Sequence, residues 1–451
     1  MPGLTPNPGS RSGSTVYLDE LGHAYAIRRE HGRTRYMYCK TFGCGAHGRD
    51  ELGQLALTVP HAAFCRPNPQ LHQLNRMREM RQLARTTGRC EPSFRAIEAQ
   101  EEFRGVAGLI RLPAFASSLR RAVNQGRPAI PHSVEEFAAL LPQHARYSTN
   151  KDGDPFFVGT VRNGERVHLI FVSDRILRAI EDRGQAVRLH ADAAVKTVPG
   201  LFKQLFAVQA VGGNHVYGCV YVLMTGKEQG DYAAVLGFIM ERYPRLVVES
   251  WMMDHERALR NAARHSTPNA RLYACRSHYA RRIKDRFLKG SLPSIRDTAE
   301  GHQLYRMCIT LPLLPADLTV RGLNEVVVPA GQRLQLTPRQ RDDLQVFLRR
   351  YMDGYWMRRV GPEVLSVAGL DRRTNNDGEC WNGYVTGRAV THRDNVWSCT
   401  ETISEVESRD RNDFMRWWVH RVPPRRPRPG AMDAKDARIA RNCSKTLEII
   451  M

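Results

Sequence analysis

The chain has 451 residues, 42% of them hydrophobic, and carries 67 Lys and Arg against 46 Asp and Glu, a formal net charge of +21 with a pI near 9.9. That length suits two or three domains and a sizeable core, and so large a basic excess points to a polyanionic partner, nucleic acid first, over a merely basic enzyme. No run reaches the ~18 apolar residues of a membrane span, so no membrane partner is expected.

Residues 1–14, MPGLTPNPGSRSGS, are rich in Pro, Gly and Ser, lack the apolar core of a signal peptide and are expected to be a disordered leader. The protein is therefore expected inside the cell, where its ten scattered cysteines act as thiols or metal ligands and not as a disulfide framework.

Residues 15–69 alternate short strand-like pieces such as TRYMYC with glycine turns. Four residues separate Cys39 from Cys44, sixteen separate Cys44 from His61, and three separate His61 from Cys65. Two thiolates on one knuckle, with an imidazole and a thiolate on a second, make the four N/S donors of a closed tetrahedral zinc site. His47 is a substitute ligand on the same spacing argument. A β-unit this small buries little, and a metal would supply folding free energy that packing does not. The motifs YMYC, CGAHGR and PHAAFCRPNP resemble those of the FLYWCH and WRKY-like zinc fingers, with Cys65 standing where that family usually has a second histidine.

Residues 70–155 read as a helical connector. Leu71, Leu74, Met77 and Leu83 recur among Arg76, Arg78, Arg81 and Arg85, giving one apolar and one basic face. That basic face suits phosphate contacts or plain solvation equally. Ser133 with Glu136 forms a capping box ahead of another helix.

From about 156 the pattern changes to buried strands alternating with helices. HLIFVS and VRLHAD are followed by LFAVQAV and VYGCVYVLM, divided by the turn GGNH. A helix comes next, with Tyr232, Val235, Leu236, Ile239, Met240 and Tyr243 at amphipathic spacing, and then LVVESWMMD. Strand, hairpin, strand, helix, strand is the order of an RNase H-like α/β fold, in which the first and fourth strands lie side by side. Asp192 and Asp254 stand at the ends of those two strands, where carboxylates can hold a hard cation. The third acid should come from a later helix. Glu379, three residues after Asn376, is either that acid or part of a helix cap. Residues 156–290 form the first part of the core, 291–370 a mostly helical insertion including a capped helix start at Thr337 and Pro338, and 371–420 the closing part with the third acid. Residues 421–451 form a basic tail expected to be disordered. Trp417 and Trp418, beside Arg416 and Arg421, either stack on bases or dock a final helix.

Over residues 156–407 the chain resembles the transposase domain of the Mutator-like (MULE) DNA transposons. HADAAVKTVPGLFKQLF, YVLMTGKEQGDYAAVL, WMMDHERALRNA, CRSH, LPLLP and TNNDGE follow one another in that family's order. The resemblance implies Asp192, Asp254 and Glu379 as a DDE triad binding magnesium or manganese. It also implies cleavage and strand transfer of double-stranded DNA at transposon terminal repeats and target sites, a homo-oligomer on DNA, and a nuclear location. Asp192 is followed by AAVK where the family usually has glycine and then Thr-Phe, and Asn382 stands where a histidine is common. Cys275 and His278 match a shared Cys-x-x-His and are expected as a structural pair or as metal ligands. The alternatives are a domesticated DNA-binding regulator without cleavage, or a cellular RNase H-like nuclease.

Overall fold

The computed structural model describes residues 3–8, 15–19, 21–66, 69–100, 110–195, 198–213, 215–370, 372–375, 383 and 395–422. It is a mixed α/β structure with two sheets, and the chain divides into two compact units, Met1–Ala129 and Ile130–Met451.

In the first unit six strands form an antiparallel meander in chain order: β1 Thr5–Pro8, β2 Thr15–Leu18, β3 Ala24–His31, β4 Thr34–Cys39, β5 His47–Glu51 and β6 Gln54–Val59. β1 lies within the stretch expected to be a disordered leader. It pairs antiparallel with β2, and Leu4 beside it is buried and donates its N–H to Gly53 O at 2.7 Å. Two-residue turns join β3 to β4 and β5 to β6, and Gly32 and Gly53 take the left-handed conformation such turns demand.

Helices Pro69–Thr87, Cys90–Glu98 and Leu112–Gln125 enclose a separate core of Met80, Ala84, Phe94, Ile97, Phe115, Leu119 and Val123. The faces of the first helix differ from those its sequence pattern predicts. Leu74 is half exposed, whereas Arg76 is fully buried, paired with Glu98 at 3.0 Å and lying over Phe94. Packing on two neighbouring helices selects Met77, Met80 and Ala84 as the inner stripe, and Arg76 follows inward because Glu98 meets its charge.

The second unit is built on a seven-stranded sheet of order β13-β12-β9-β10-β11-β8-β7. Its strands are β7 Phe157–Asn163, β8 Arg166–Val172, β9 Val187–Ala194, β10 Gln204–Gly212, β11 His215–Met224, β12 Val248–Met253 and β13 Arg271–Ala274. β9 is the hinge of the sheet: it pairs antiparallel with β10 on one side and parallel with β12 on the other, and β12 is parallel to β13. β10 and β11 are buried along almost their whole length, as expected of strands covered on both faces.

After β13 every described element is helical. Arg276–Phe287 leads through several short helices to Pro338–Val346, capped by Thr337 and Gln340, and this runs into a π-helix, Phe347–Val360. The last described helix, Val396–His420, returns to the sheet. Asn395 caps it by accepting from the N–H groups of Trp397 and Ser398, and Trp397 packs among Phe137, His144 and Tyr147. Glu407 on the same helix accepts from Ser173 Oγ at 2.6 Å and Arg411 Nε at 2.9 Å, while Asp410 accepts from Gly218 N at 3.0 Å. Trp417 stacks on Tyr217 and lies against the backbone of Gly212, where a Cβ would stand 2.3 Å from its ring. Trp418 stacks on Phe414 beneath the Arg183 guanidinium. Of the two readings for these tryptophans, docking is the one realised.

Candidate functional site

The first site lies at the end of the β1–β6 sheet. Cys39 closes β4, Cys44 follows after a short loop, and His61 and Cys65 come from the segment after β6. Their donor atoms all lie within 4.8 Å of one another. His61 Nδ1 is 3.3 Å from both Cys44 Sγ and Cys65 Sγ, and Cys39 Sγ is 3.8 Å from Cys65 Sγ. A tetrahedral ion bonded at about 2.3 Å to sulfur and about 2.0 Å to nitrogen holds its donors roughly 3.5–3.8 Å apart. The four residues therefore fit a metal such as zinc. His47 does not join them: it is exposed, and its Nδ1 is 3.0 Å from Gly45 O.

The electrostatics favour the same use. Burial pushes the Cys44 thiol up, but the N–H groups of Ala46 and Ala62 and the His61 ring outweigh it and bring the thiol down to about 6. Burial and the neighbouring thiols push Cys65 up to about 11. A bound cation would favour the thiolate forms further, since only deprotonated cysteines serve as ligands. Three of the nine buried residues in this core are these cysteines, so the cluster is continuous with the hydrophobic packing.

A second layer stands behind His61, on residues that the spacing of the ligands gave no reason to single out. Tyr25, fully buried on β3, has its hydroxyl 2.6 Å from His61 Nε2 and donates to Asp19 Oδ2 at 2.9 Å. Asp19 also accepts from His23 N at 2.8 Å, and the His23 ring stacks on His61 at 3.9 Å. With Nδ1 turned to the sulfurs, the proton belongs on Nε2, where Tyr25 accepts it. This is how a ligand histidine is held in one tautomer and one orientation.

The second site lies at the C-terminal ends of the parallel strands. Ala191 of β9 pairs with Met253 of β12, and Met253 pairs with Ala274 of β13. Asp192, Asp254 and Cys275 are the next residue on each strand, so they form a row across one end of the sheet. Asp192 Oδ1 accepts from Ala193 N at 2.9 Å, and His278 Nδ1 lies 3.9 Å from Asp254 Oδ1. Cys275 is buried at the N-terminus of Arg276–Phe287, which sets His278 one turn further on, facing Asp254. The Cys-x-x-His motif thus anchors that helix and borders the carboxylates.

Glu379 lies outside the described residues, as do Asn376, Cys380, Asn382, Cys443 and the tail from 423 onward. The chain leading to Glu379 is described as far as Asn375. This residue is buried, donates its N–H to Cys275 Sγ at 3.1 Å and donates Nδ2 to Ala191 O at 3.3 Å. Cys308 and Cys399 are fully buried thiols, both pushed up to about 12 by burial.

No family model matches the chain, and no curated protein does. The functional reading rests on the residues themselves.

Proposed function

We propose that the chain is a DNA transposase of the Mutator-like type, with a zinc finger of the FLYWCH or WRKY-like kind in its first unit and an RNase H-like catalytic core in its second. The carrying observation is the alignment of Asp192 and Asp254, each one residue beyond a register pair of neighbouring parallel strands. The strand order β11-β10-β9-β12-β13, in which β10 alone runs antiparallel to the other four, supports the RNase H-like reading. Asn375, tied to Ala191 and Cys275 four residues ahead of Glu379, supports Glu379 as the third acid.

On this reading Asp192, Asp254 and Glu379 hold magnesium or manganese, because carboxylate oxygens are the donors such hard cations take. The bound cations would supply Lewis-acid assistance to an in-line attack on a phosphodiester. His278 orients Asp254, and Asn375, four residues before Glu379, is itself held to Ala191 of β9 and to Cys275. Zinc on Cys39, Cys44, His61 and Cys65 keeps the finger folded for reading duplex DNA, and the protein assembles as a homo-oligomer on transposon ends in the nucleus.

Nicking of supercoiled plasmid in magnesium or manganese tests the reading. Asp254→Asn should abolish nicking while duplex binding stays within about twofold, since only a cation ligand is removed. Undiminished nicking by the variant would sink the triad. Duplex binding by a wild-type protein that never cuts would favour the domesticated regulator.

A further inference from the structure

The π-helix Phe347–Val360 carries Arg349, Arg350, Arg358 and Arg359, all exposed. In an α-helix, at about 100° per residue, these four would point in every direction around the axis. With i→i+5 bonding there are about 4.4 residues per turn, and the same four fall within roughly 100° of one another. The buried residues Phe347, Leu348, Met352, Trp356, Met357 and Val360 gather on the opposite side by the same winding. The i→i+5 pattern continues to the helix end, where Gly361 N donates to Trp356 O at 3.2 Å.

The consequence is a single cationic patch on the helix exterior. All four arginines line it, together with Asp353, Gly354 and Tyr355. Its one carboxylate, Asp353, accepts from Arg358 Nε at 2.9 Å. Arg349, Arg350 and Arg359 make no ion pair with any described residue. Four charges against one leave three cations crowded on a face that α-helical winding would have dispersed, and neighbouring like charges cost a helix stability. Every one of the four is arginine, whose planar fork pairs with phosphate oxygens in a bidentate manner that lysine does not reproduce.

The inner side of this helix touches the residue that follows Asp254 in the acidic row. Trp356 meets His255, the residue after Asp254, edge-on at 4.5 Å, and meets Tyr279 at 4.7 Å. The cationic face is therefore carried by an element packed directly on the segment that follows Asp254.

We propose that the arginine face of the π-helix is a binding surface for the phosphate backbone of duplex DNA, separate from the finger. It rests on the DNA reading above and adds a second DNA-binding surface to it. The surface is insensitive to sequence, since guanidinium groups on a helix exterior meet phosphates and not base edges.

The test uses the full chain loaded with zinc and a labelled 30-base-pair duplex of arbitrary sequence, followed by anisotropy across a salt series. Arg349→Ala/Arg350→Ala/Arg359→Ala should weaken binding by about tenfold or more and flatten the slope of log affinity against log salt by about 3, one for each phosphate no longer neutralised. Replacing the same three with lysine should keep most of the slope, which separates the effect of charge from that of fold, and neither variant should melt below wild type by circular dichroism. An alanine variant that melts normally and keeps the wild-type affinity and slope overturns this inference while leaving DNA binding by the protein intact. A wild-type protein with no duplex affinity overturns this inference and the functional reading together.

Discussion

Tyr25 shows how a single side chain can position a candidate metal ligand without being one itself. Its hydroxyl joins His61 Nε2 to the Asp19 carboxylate, so the imidazole arrives at the sulfurs already oriented. Tyr25→Phe keeps the ring and removes only the oxygen. Zinc affinity, measured by competition with a chromophoric chelator, should fall about 10–100-fold, the usual cost of removing such a partner. The cobalt absorption spectrum should stay tetrahedral because all four ligands remain. Unchanged affinity would mean the hydrogen bond does not hold the ring. The quartet of Cys39, Cys44, His61 and Cys65 was legible in the sequence because residues that could hold a metal recur there at short spacings. Tyr25 and Asp19 were not, because their relation to His61 exists only once β2 and β3 are paired.

At the scale of elements, the same distinction separates strands from helices. Asp192 and Asp254 could be placed at strand ends because a buried strand is a short apolar run and its end is where polar residues resume. The side-by-side placement of β9 and β12 followed from element order and is what the sheet has. The π-helix was illegible, because a search at 3.6-residue spacing spreads its apolar residues around the whole axis, whereas their spacing of four and five marks a wider winding. Arg76 misled for another reason: its partner Glu98 belongs to a different helix, and pattern within one helix cannot report it. Gly212 offers a test of how the last helix docks. Its missing Cβ makes room for Trp417, so Gly212→Ala should lower stability by about 1–3 kcal/mol through overpacking. Trimming the ring in Gly212→Ala/Trp417→Leu should recover part of that loss. Equal melting of Gly212→Ala and wild type would show that the helix end yields instead.

For the whole molecule, two compact units with separate cores imply two separable stabilities. The cysteine cluster belongs to the core of the first unit alone. Removing metal with a chelator should therefore lower the melting of the first unit, while the transition of the second stays where it was, because a ligand stabilises only what it binds. Differential scanning calorimetry with and without chelator would resolve this. A single transition that moves as one would contradict the independence of the units.

The position of β9 has a consequence in time. It is flanked by partners on both edges and covered by buried residues, so its amides should be among the slowest in the molecule to exchange with solvent, opening only when the whole second unit unfolds. Asp192 is thus mounted on an element expected to open only when the whole second unit does. Its carboxylate should therefore keep its position through partial openings of the helices around it.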